Sequence, residues 1–492
     1  MKVAQSSMRR NQLFWAIIGS AAVLGVTLAW AIGMQQSVWF DEAYSVVVAK
    51  QPADEIIRLA SLDTHPPLYY LILHWWGDAF GWQVWALRLL SALAFGGSIV
   101  VASILTRRLF GTRAAVLTSV AVLLSPLLLR YGFEIRMYAI ASLIGIAATY
   151  ILVRAEATSS IKAARLWWAS YAVMVALGVY VLYYLALLWC AHLLWLIASS
   201  RKKQWRERKW VWAFIGSVVM YVPWLPTFLQ QTHNGALASI GQPMNAENTL
   251  GVLSFTTLYQ PLWQLDIIHS MVYFALIILT GYWIYRALHS ASMRHKYWWL
   301  LVLYSVVPVV VLMGVSFFRP MYVERYLSHI AIGLIMLLAV SASVASRGRR
   351  KFRYWPAATL IAILLIGTAQ LIQVGNFNFQ RMSRPHVDEI AAHLEDCRTD
   401  TAVVAADPYV AIELSAYMPK ECPIYFYSSD HELRGGYAPL NHSAYQLKEQ
   451  TVSSAVKQIR YVYYDQPQLT FDGYRRTGEV RAESLTLAWY QR

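Results

Sequence analysis

LFWAIIGSAAVLGVTLAWAI, residues 13–32, is an unbroken apolar run long enough to cross a roughly 30 Å hydrocarbon core, and a few residues beyond it stand Trp39-Phe40-Asp41-Glu42. Lipid on one side and two adjacent carboxylates on the other define the problem this chain poses. Neighbouring acids at a membrane surface cost desolvation and repel each other, which makes catalysis one reading of Asp41 and Glu42. The other is that they start and solubilise the next helix, whose N-terminus favours negative charge.

The same apolar pattern recurs. Runs of spanning length begin near residues 84, 114, 137, 166, 185, 210, 267, 297, 327 and 356, so about 11 transmembrane helices are predicted in residues 1–374. With 58% hydrophobic and 14% charged residues in 492, the chain has no aqueous interior large enough to hide its apolar surface. The net charge of +15 does not indicate nucleic acid. Lys and Arg outnumber Asp and Glu by 30 to 12 before residue 375, but number 12 against 15 after it. The excess falls in alternate loops, at Lys2/Arg9/Arg10, Arg107/Arg108/Arg113, Arg154/Lys162/Arg165, Arg201 to Lys209, Arg286/Arg294/Lys296 and Arg347 to Arg353. The positive-inside rule places these loops and the N-terminus in the cytoplasm, and an odd number of spans places the C-terminal part outside. Ten of the twelve acids before residue 375 then face outward, all but Glu156 and Glu207. Basic residues ahead of Ala29-Trp30-Ala31 faintly imitate a secretory signal, but the run is long for one and an uncleaved first span is expected.

The outer loop, residues 35–83, is more than a linker. Asp41 to Lys50 and Pro52 to Ala60 read as short helices, and Leu68 to Trp76 is aromatic but too short to span, as suits helices lying at headgroup level. Between them, Asp63-Thr64-His65-Pro66-Pro67 holds His65 in a stiff, non-helical turn. Two further outer turns are charged. In the turn from Arg130 to Tyr138, Glu134 and Tyr138 share a face if the fourth span begins at Glu134. In the turn from Arg319 to Tyr326, Tyr322, Arg325 and Tyr326 share a face if helical. Arginine suits a phosphate because its planar fork makes paired, charge-assisted hydrogen bonds, although a structural salt bridge explains either Glu/Arg turn as well.

After Asn376 the composition becomes that of an ordinary water-soluble domain. Helical patterns at His386 to Leu394 and Tyr409 to Met418, and strand patterns at Thr401 to Ala405, Ile424 to Tyr427 and Tyr461 to Tyr464, predict a small extracytoplasmic α/β domain over 375–492. Cys397 and Cys422 could pair in an oxidising compartment; Cys190 lies in a span and packs.

Six motifs, Phe40-Asp41-Glu42-Ala43-Tyr44, His65-Pro66-Pro67-Leu68-Tyr69-Tyr70, Arg88-Leu89-Leu90-Ser91, Arg107-Arg108-Leu109-Phe110-Gly111, Glu134-Ile135-Arg136-Met137-Tyr138-Ala139 and Glu324-Arg325-Tyr326-Leu327, run in order through residues 35–330. Together they resemble bacterial membrane glycosyltransferases of the GT-C fold, in the group of glycosyltransferase family 39 that holds protein O-mannosyltransferases and the lipid A aminoarabinose transferase. The resemblance implies an inner-membrane enzyme that moves a sugar, such as mannose or another hexose or pentose, from a polyprenyl-phosphate donor, with inversion, to a lipid, glycan or protein acceptor outside. By motif position it implies Asp41 as general base and Glu42 as support for sugar or acceptor. Donor phosphate and substrate would meet His65, Tyr69, Glu134, Arg136, Tyr138, Tyr322, Arg325 and Tyr326. The aminoarabinose transferases carry Lys where this chain has His65, so a fixed positive charge becomes one that depends on pH.

The residues require no cofactor. A divalent metal, Mg or Mn, stays open, since Asp41, Glu42 and His65 offer hard oxygens and an imidazole, yet arginines alone can neutralise a phosphate. A ligase or polymerase moving a whole lipid-linked glycan is the nearer alternative. A solute transporter is the more distant one, because no internal repeat of interrupted spans is visible.

Overall fold

The computed structural model describes residues 2–200, 208–233, 246–259, 267–289, 296–346, 354–374, 386–394, 400–419, 422–428, 433, 435–441, 446–447, 456–464 and 469–492. Glu207, Asp266, Cys397 and the basic clusters at 201–207 and 347–353 lie outside the described residues. The chain forms two compact units, one of Met1–Gly33 with Leu89–Val374, the other of Met34–Arg88 with Gly375–Arg492.

The first unit is helical: α1 (Lys2–Met34), α5 (Val84–Phe110), α6 (Thr112–Leu123), α7 (Pro126–Tyr131), α8 (Tyr138–Ala157), α9 (Ile161–Val181), α10 (Leu185–Ser199), α11 (Lys209–Tyr221), α12 (Leu225–His233), α13 (Ala246–Thr257), α14 (Ile267–Leu288), α15 (Lys296–Ser316), α16 (Ser328–Ala345) and α17 (Trp355–Val374). Among the described residues eight helical stretches are long and apolar enough to cross a membrane, while α6, α10 and the apolar part of α14 are shorter. All eleven predicted runs are therefore helices, although the third breaks early. There α6 ends at Leu123 and Pro126 opens the separate α7, because proline at the first helical position starts a helix but cannot continue one. Exposed Trp212, Val218, Met271, Phe274 and Ile278 face outward from this unit, as residues bathed in hydrocarbon do.

Helix α16 is nearly all buried, between α6, α8, α14, α15 and α17. Small residues make that possible. A β-carbon at Gly333 would lie 2.0 Å from the Tyr304 ring of α15, and one at Gly367 of α17 would lie 2.1 Å from the Thr257 carbonyl oxygen.

The second unit joins α2 (Phe40–Ala49), α3 (Ala53–Leu62) and α4 (Leu68–Phe80) to a six-stranded sheet flanked by α18 (Val387–Ala392) and α19 (Pro408–Ser415). The strands are β1 (Thr401–Ala405), β2 (Ile424–Tyr427), β3 (Gln446–Leu447), β4 (Gln458–Tyr464), β5 (Arg475–Ala482) and β6 (Leu485–Gln491), in the order β3-β2-β1-β4-β6-β5. The first four are parallel, and β6 and β5 close the sheet antiparallel. Alternation along β1 sends Val403 and Ala405 into a core shared with α18 and α19, and Ala402 and Val404 to the opposite face with Tyr461 and Phe471. Asp407 caps α19, its carboxylate accepting from the Val410 N–H at 2.9 Å ahead of Pro408. Cys422 is disulfide-bonded and Cys190 carries a free thiol.

Candidate active site

In the second unit, Asp41 and Glu42 occupy the first turn of α2, where the helix dipole favours anions, but their surroundings differ. Asp41 is half-buried, and its carbonyl accepts from the Ser45 hydroxyl at 2.9 Å. Glu42 is fully buried and held by the two-pronged fork of Arg88, with Nη2 to Oε2 at 3.0 Å and Nε to Oε1 at 3.3 Å. The same guanidinium donates to the Gln36 carbonyl at 2.6 Å and the Ser37 carbonyl at 3.3 Å, so one buried cation ties the loop before α2 to the helix itself. This engagement suits an anchor rather than the sugar-supporting role that the resemblance implied for Glu42.

The predicted stiff turn is present. Asp63 closes α3 and Leu68 begins α4, leaving His65 buried between them. The His65 Nδ1 lies 2.9 Å from the Thr64 hydroxyl and 3.4 Å from Asp63 Oδ2, which also accepts from the Tyr70 hydroxyl at 3.2 Å. The imidazole is thus oriented through Nδ1 by a carboxylate, as imidazoles that hold one tautomer commonly are. Tyr69 is buried with its ring 5.7 Å from that of Tyr70. Helix α4 also braces α2, its His74 Nδ1 lying 2.8 Å from the Ala49 carbonyl oxygen. Among the described residues no three His, Cys, Asp or Glu side chains converge as metal ligands, and the set Asp41, Glu42 and His65 is not brought together as one.

In the first unit a second polar group is buried. Glu134 pairs with Arg130 at 2.7 Å, and its carbonyl accepts from Ser91 Oγ at 2.5 Å and the Arg136 N–H at 2.7 Å. Tyr131 donates to Glu324 Oε1 at 3.2 Å. Arg136 and Tyr138 are buried beside this group; the Tyr138 ring lies 5.2 Å from Tyr131 and 6.0 Å from Tyr326. The Arg325 guanidinium lies 5.6 Å above the Tyr326 ring. Two expectations are corrected here. Helix α8 begins only at Tyr138, so Glu134 lies in the bend before it, and the two do not share a helical face. Tyr322 likewise precedes the 3₁₀ turn Glu324–Leu327 that holds Arg325 and Tyr326. The backbone leaves the helix at both places so that short turns can bring carboxylates to arginines. Nearby in the same unit, Tyr183, Tyr184, Leu187, Phe228, Thr232 and Arg319 are among the residues lining a mainly apolar cavity of about 260 Å³.

Over 96% of its length the chain superposes on 97% of ArnT from Cupriavidus metallidurans, solved bound to undecaprenyl phosphate, with a TM-score of 0.64 at 12% identity. The fold is GT-C. The apo form of the same protein aligns with a TM-score of 0.61 over 98% of both chains, again at 12% identity. The Archaeoglobus fulgidus oligosaccharyltransferase, solved with zinc and sulfate, shares the GT-C fold over 82% of this chain and 61% of its own, with a TM-score of 0.53 and 12% identity. Residues 64–226 match the family model for dolichyl-phosphate-mannose-protein mannosyltransferase, a third of the chain that includes His65, Glu134, Arg136 and Tyr138. No curated protein matches the sequence.

Several residues of this GT-C chain had no role assigned from sequence. Arg88 stood within a quoted motif, but its partner lies 46 positions away, a distance no local pattern encodes. Arg130 and Glu134 are four apart, and that spacing was the available signal. Asp63 and Tyr70 flank the Pro-Pro turn symmetrically, and only the fold shows that they meet.

Proposed function

We propose that the protein is a multi-span glycosyltransferase that moves a sugar from a polyprenyl-phosphate donor to an acceptor hydroxyl on the outer face of a bacterial inner membrane. The observation that carries the reading is the contrast within Asp41-Glu42: Arg88 locks one carboxylate into the fold, and the neighbour it holds in place reaches solvent. The GT-C fold and the family match over residues 64–226 support it.

In this reading Asp41 takes the acceptor's hydroxyl proton as that oxygen bonds to the anomeric carbon from the face opposite the phosphate. The bond from the anomeric carbon to the phosphate oxygen breaks, and its electron pair leaves on the polyprenyl phosphate. Arg136 and Arg325, with the hydroxyls of Tyr322 and Tyr326, receive that growing charge, and Glu134 with Arg130 holds Arg136's turn in shape. His65, oriented by Asp63, is assigned to the donor phosphate, and Tyr69 and Tyr138 are assigned as substrate contacts. The apolar cavity beside Arg319 suits an isoprenoid tail. The basic loops keep the N-terminus cytoplasmic, and eleven spans, the three shorter apolar helices included, would leave the sheet domain outside.

Detergent-purified full-length protein is tested against radiolabelled polyprenyl-phosphate mannose, polyprenyl-phosphate aminoarabinose and a diphosphate-linked glycan, with and without chelator. Turnover of a monophosphate sugar by wild type, lost in Asp41→Asn and indifferent to chelator, is the expected result. Equal turnover by Asp41→Asn removes the assigned base; turnover of the diphosphate-linked glycan alone replaces this reading with the ligase, whose archaeal fold relative gives that alternative its footing.

A further inference from the structure

The first turn of α2 has no side-chain cap, since Trp39 at the N-cap position makes no such hydrogen bond to it. A ring contact holds that turn instead. Phe40, the first residue of α2 and the chain neighbour of Asp41, sits in a socket made by the sheet domain of the same unit. Its ring stacks on Tyr409 of α19, with centroids 4.7 Å apart and planes at 10°, and meets Tyr437 of the Gly435–Leu440 turn edge-on at 5.4 Å. Gly436 forms the third wall. A β-carbon there would stand 3.0 Å from Phe40 Cε1 and 3.1 Å from Cζ, closer than carbon atoms pack. The left-handed φ of 57° in this turn belongs to Gly435, so position 436 is small for the sake of room and not of conformation.

The socket is braced from behind. The Tyr409 ring lies 6.0 Å from that of Tyr464 on β4, an inner strand, and the Tyr464 hydroxyl donates to the buried Glu413 carboxyl at 2.6 Å. Residues flanking Phe40 are tied to the same domain: Ser37 donates to Asp388 at 2.5 Å, the Val38 N–H to the Tyr417 hydroxyl at 2.7 Å and Lys50 to the Ser415 carbonyl at 3.1 Å.

We propose that Phe40 and its socket of Tyr409, Tyr437 and Gly436 are positioning residues for Asp41, so that the sheet domain aims the base through a ring contact and touches no substrate. The proposal rests on the reading of Asp41 as the base. Aim, more than bulk stability, is what the contact supplies. Phe40 and Tyr409 are half-buried, and neither belongs to the two apolar cores on the faces of the sheet. Loosening the stack therefore costs the fold little, whereas a catalytic group displaced by about 1 Å loses about a hundredfold in rate.

The test uses full-length protein and whichever donor wild type turns over. Tyr409→Leu removes the stacked ring and should lower kcat about tenfold, with donor KM within about twofold. Tyr409→Phe keeps the ring and should hold kcat within about twofold of wild type. Phe40→Leu should match Tyr409→Leu, and the double variant should fall no further than about tenfold, because the two rings make one contact. Gly436→Ala pushes the Phe40 ring from the other side; it should lower kcat about threefold at an unchanged melting profile, and it stands in where Tyr409→Leu does not fold. Hydrogen exchange of amides 40–45 should rise in both leucine variants and stay at the wild-type level in Tyr409→Phe. Wild-type kcat in Tyr409→Leu or, where that variant does not fold, in Gly436→Ala overturns the proposal. So does an equal loss in Tyr409→Phe, or losses that multiply to about a hundredfold in the double variant. Equal turnover by wild type and Asp41→Asn removes the base and the positioning role with it, whereas unchanged exchange in the leucine variants removes the socket while the base stands, so the two failures are told apart.

Discussion

Two adjacent carboxylates in one helical turn meet different fates because only one of them faces Arg88. Asp41→Asn changes one atom at a half-buried position, so the fold should survive while transfer falls by about 10²–10⁴, the range for a lost general base. Sugar release by detergent-purified protein, beside an unchanged melting profile, checks both halves of that statement. Arg88→Ala should behave in the opposite way. It strands a fully buried Glu42 and two carbonyls, at a cost of about 3–5 kcal/mol, so the variant should be recovered poorly and be cut by protease within residues 34–62. Replacing both partners, as Glu42→Leu with Arg88→Met, should restore much of the yield, because a packed apolar pair owes no desolvation.

At the scale of elements, α16 shows what small residues do where lipid removes the hydrophobic drive for helices to associate. Gly333→Val cannot be seated without moving the Tyr304 ring, and the loss should be about 1–3 kcal/mol or more, read as a lowered melting temperature in detergent. Helices of this kind were legible in the sequence because a span needs about twenty apolar residues in a row, and the short helices α2, α3 and α4 were legible from their acids, prolines and aromatics. Strands β1 and β2 were found at their observed bounds for the same kind of reason, being apolar runs between turns. Strands β5 and β6 were not. β5 reads Arg475-Arg476-Thr477-Gly478-Glu479-Val480-Arg481-Ala482, five of its eight residues exposed, and its two-residue turn into β6 uses Glu483 at φ 55° where the sequence rules look for glycine or asparagine. The polar turns were misread for a related reason: Glu134 leaves helical geometry where its carbonyl meets Ser91, 43 positions away, and Tyr322 lies in extended backbone before the 3₁₀ turn, and periodicity carries no record of either. Of the candidate site, residue types and order were legible; the pairing of Glu42 with Arg88 was not, because it depends on a contact distant in sequence.

Considered as a whole molecule, the chain divides between two solvents, and its response to pH should divide as well. Glu413 titrates near 8 when folded and near 4.5 when exposed, so its contribution to stability is fully present below about pH 4.5 and is lost as pH rises through about 8. Exchange protection of β1 and β4 should fall across that window in wild type, and Glu413→Gln should flatten the fall. The sheet's two open margins bear on a different matter. Among the described residues one is β3 (Gln446–Leu447) and the other is β5, whose exposed Arg475, Arg476 and Arg481 lie along that edge. Proteins confined to a bilayer meet one another at far higher local concentration than they would in bulk water, and a bare strand border is where neighbouring copies would stitch together. A charged border, with Glu479 paired to Arg476 and Arg481, resists pairing with a neighbouring copy because desolvating those side chains at a new strand seam is costly.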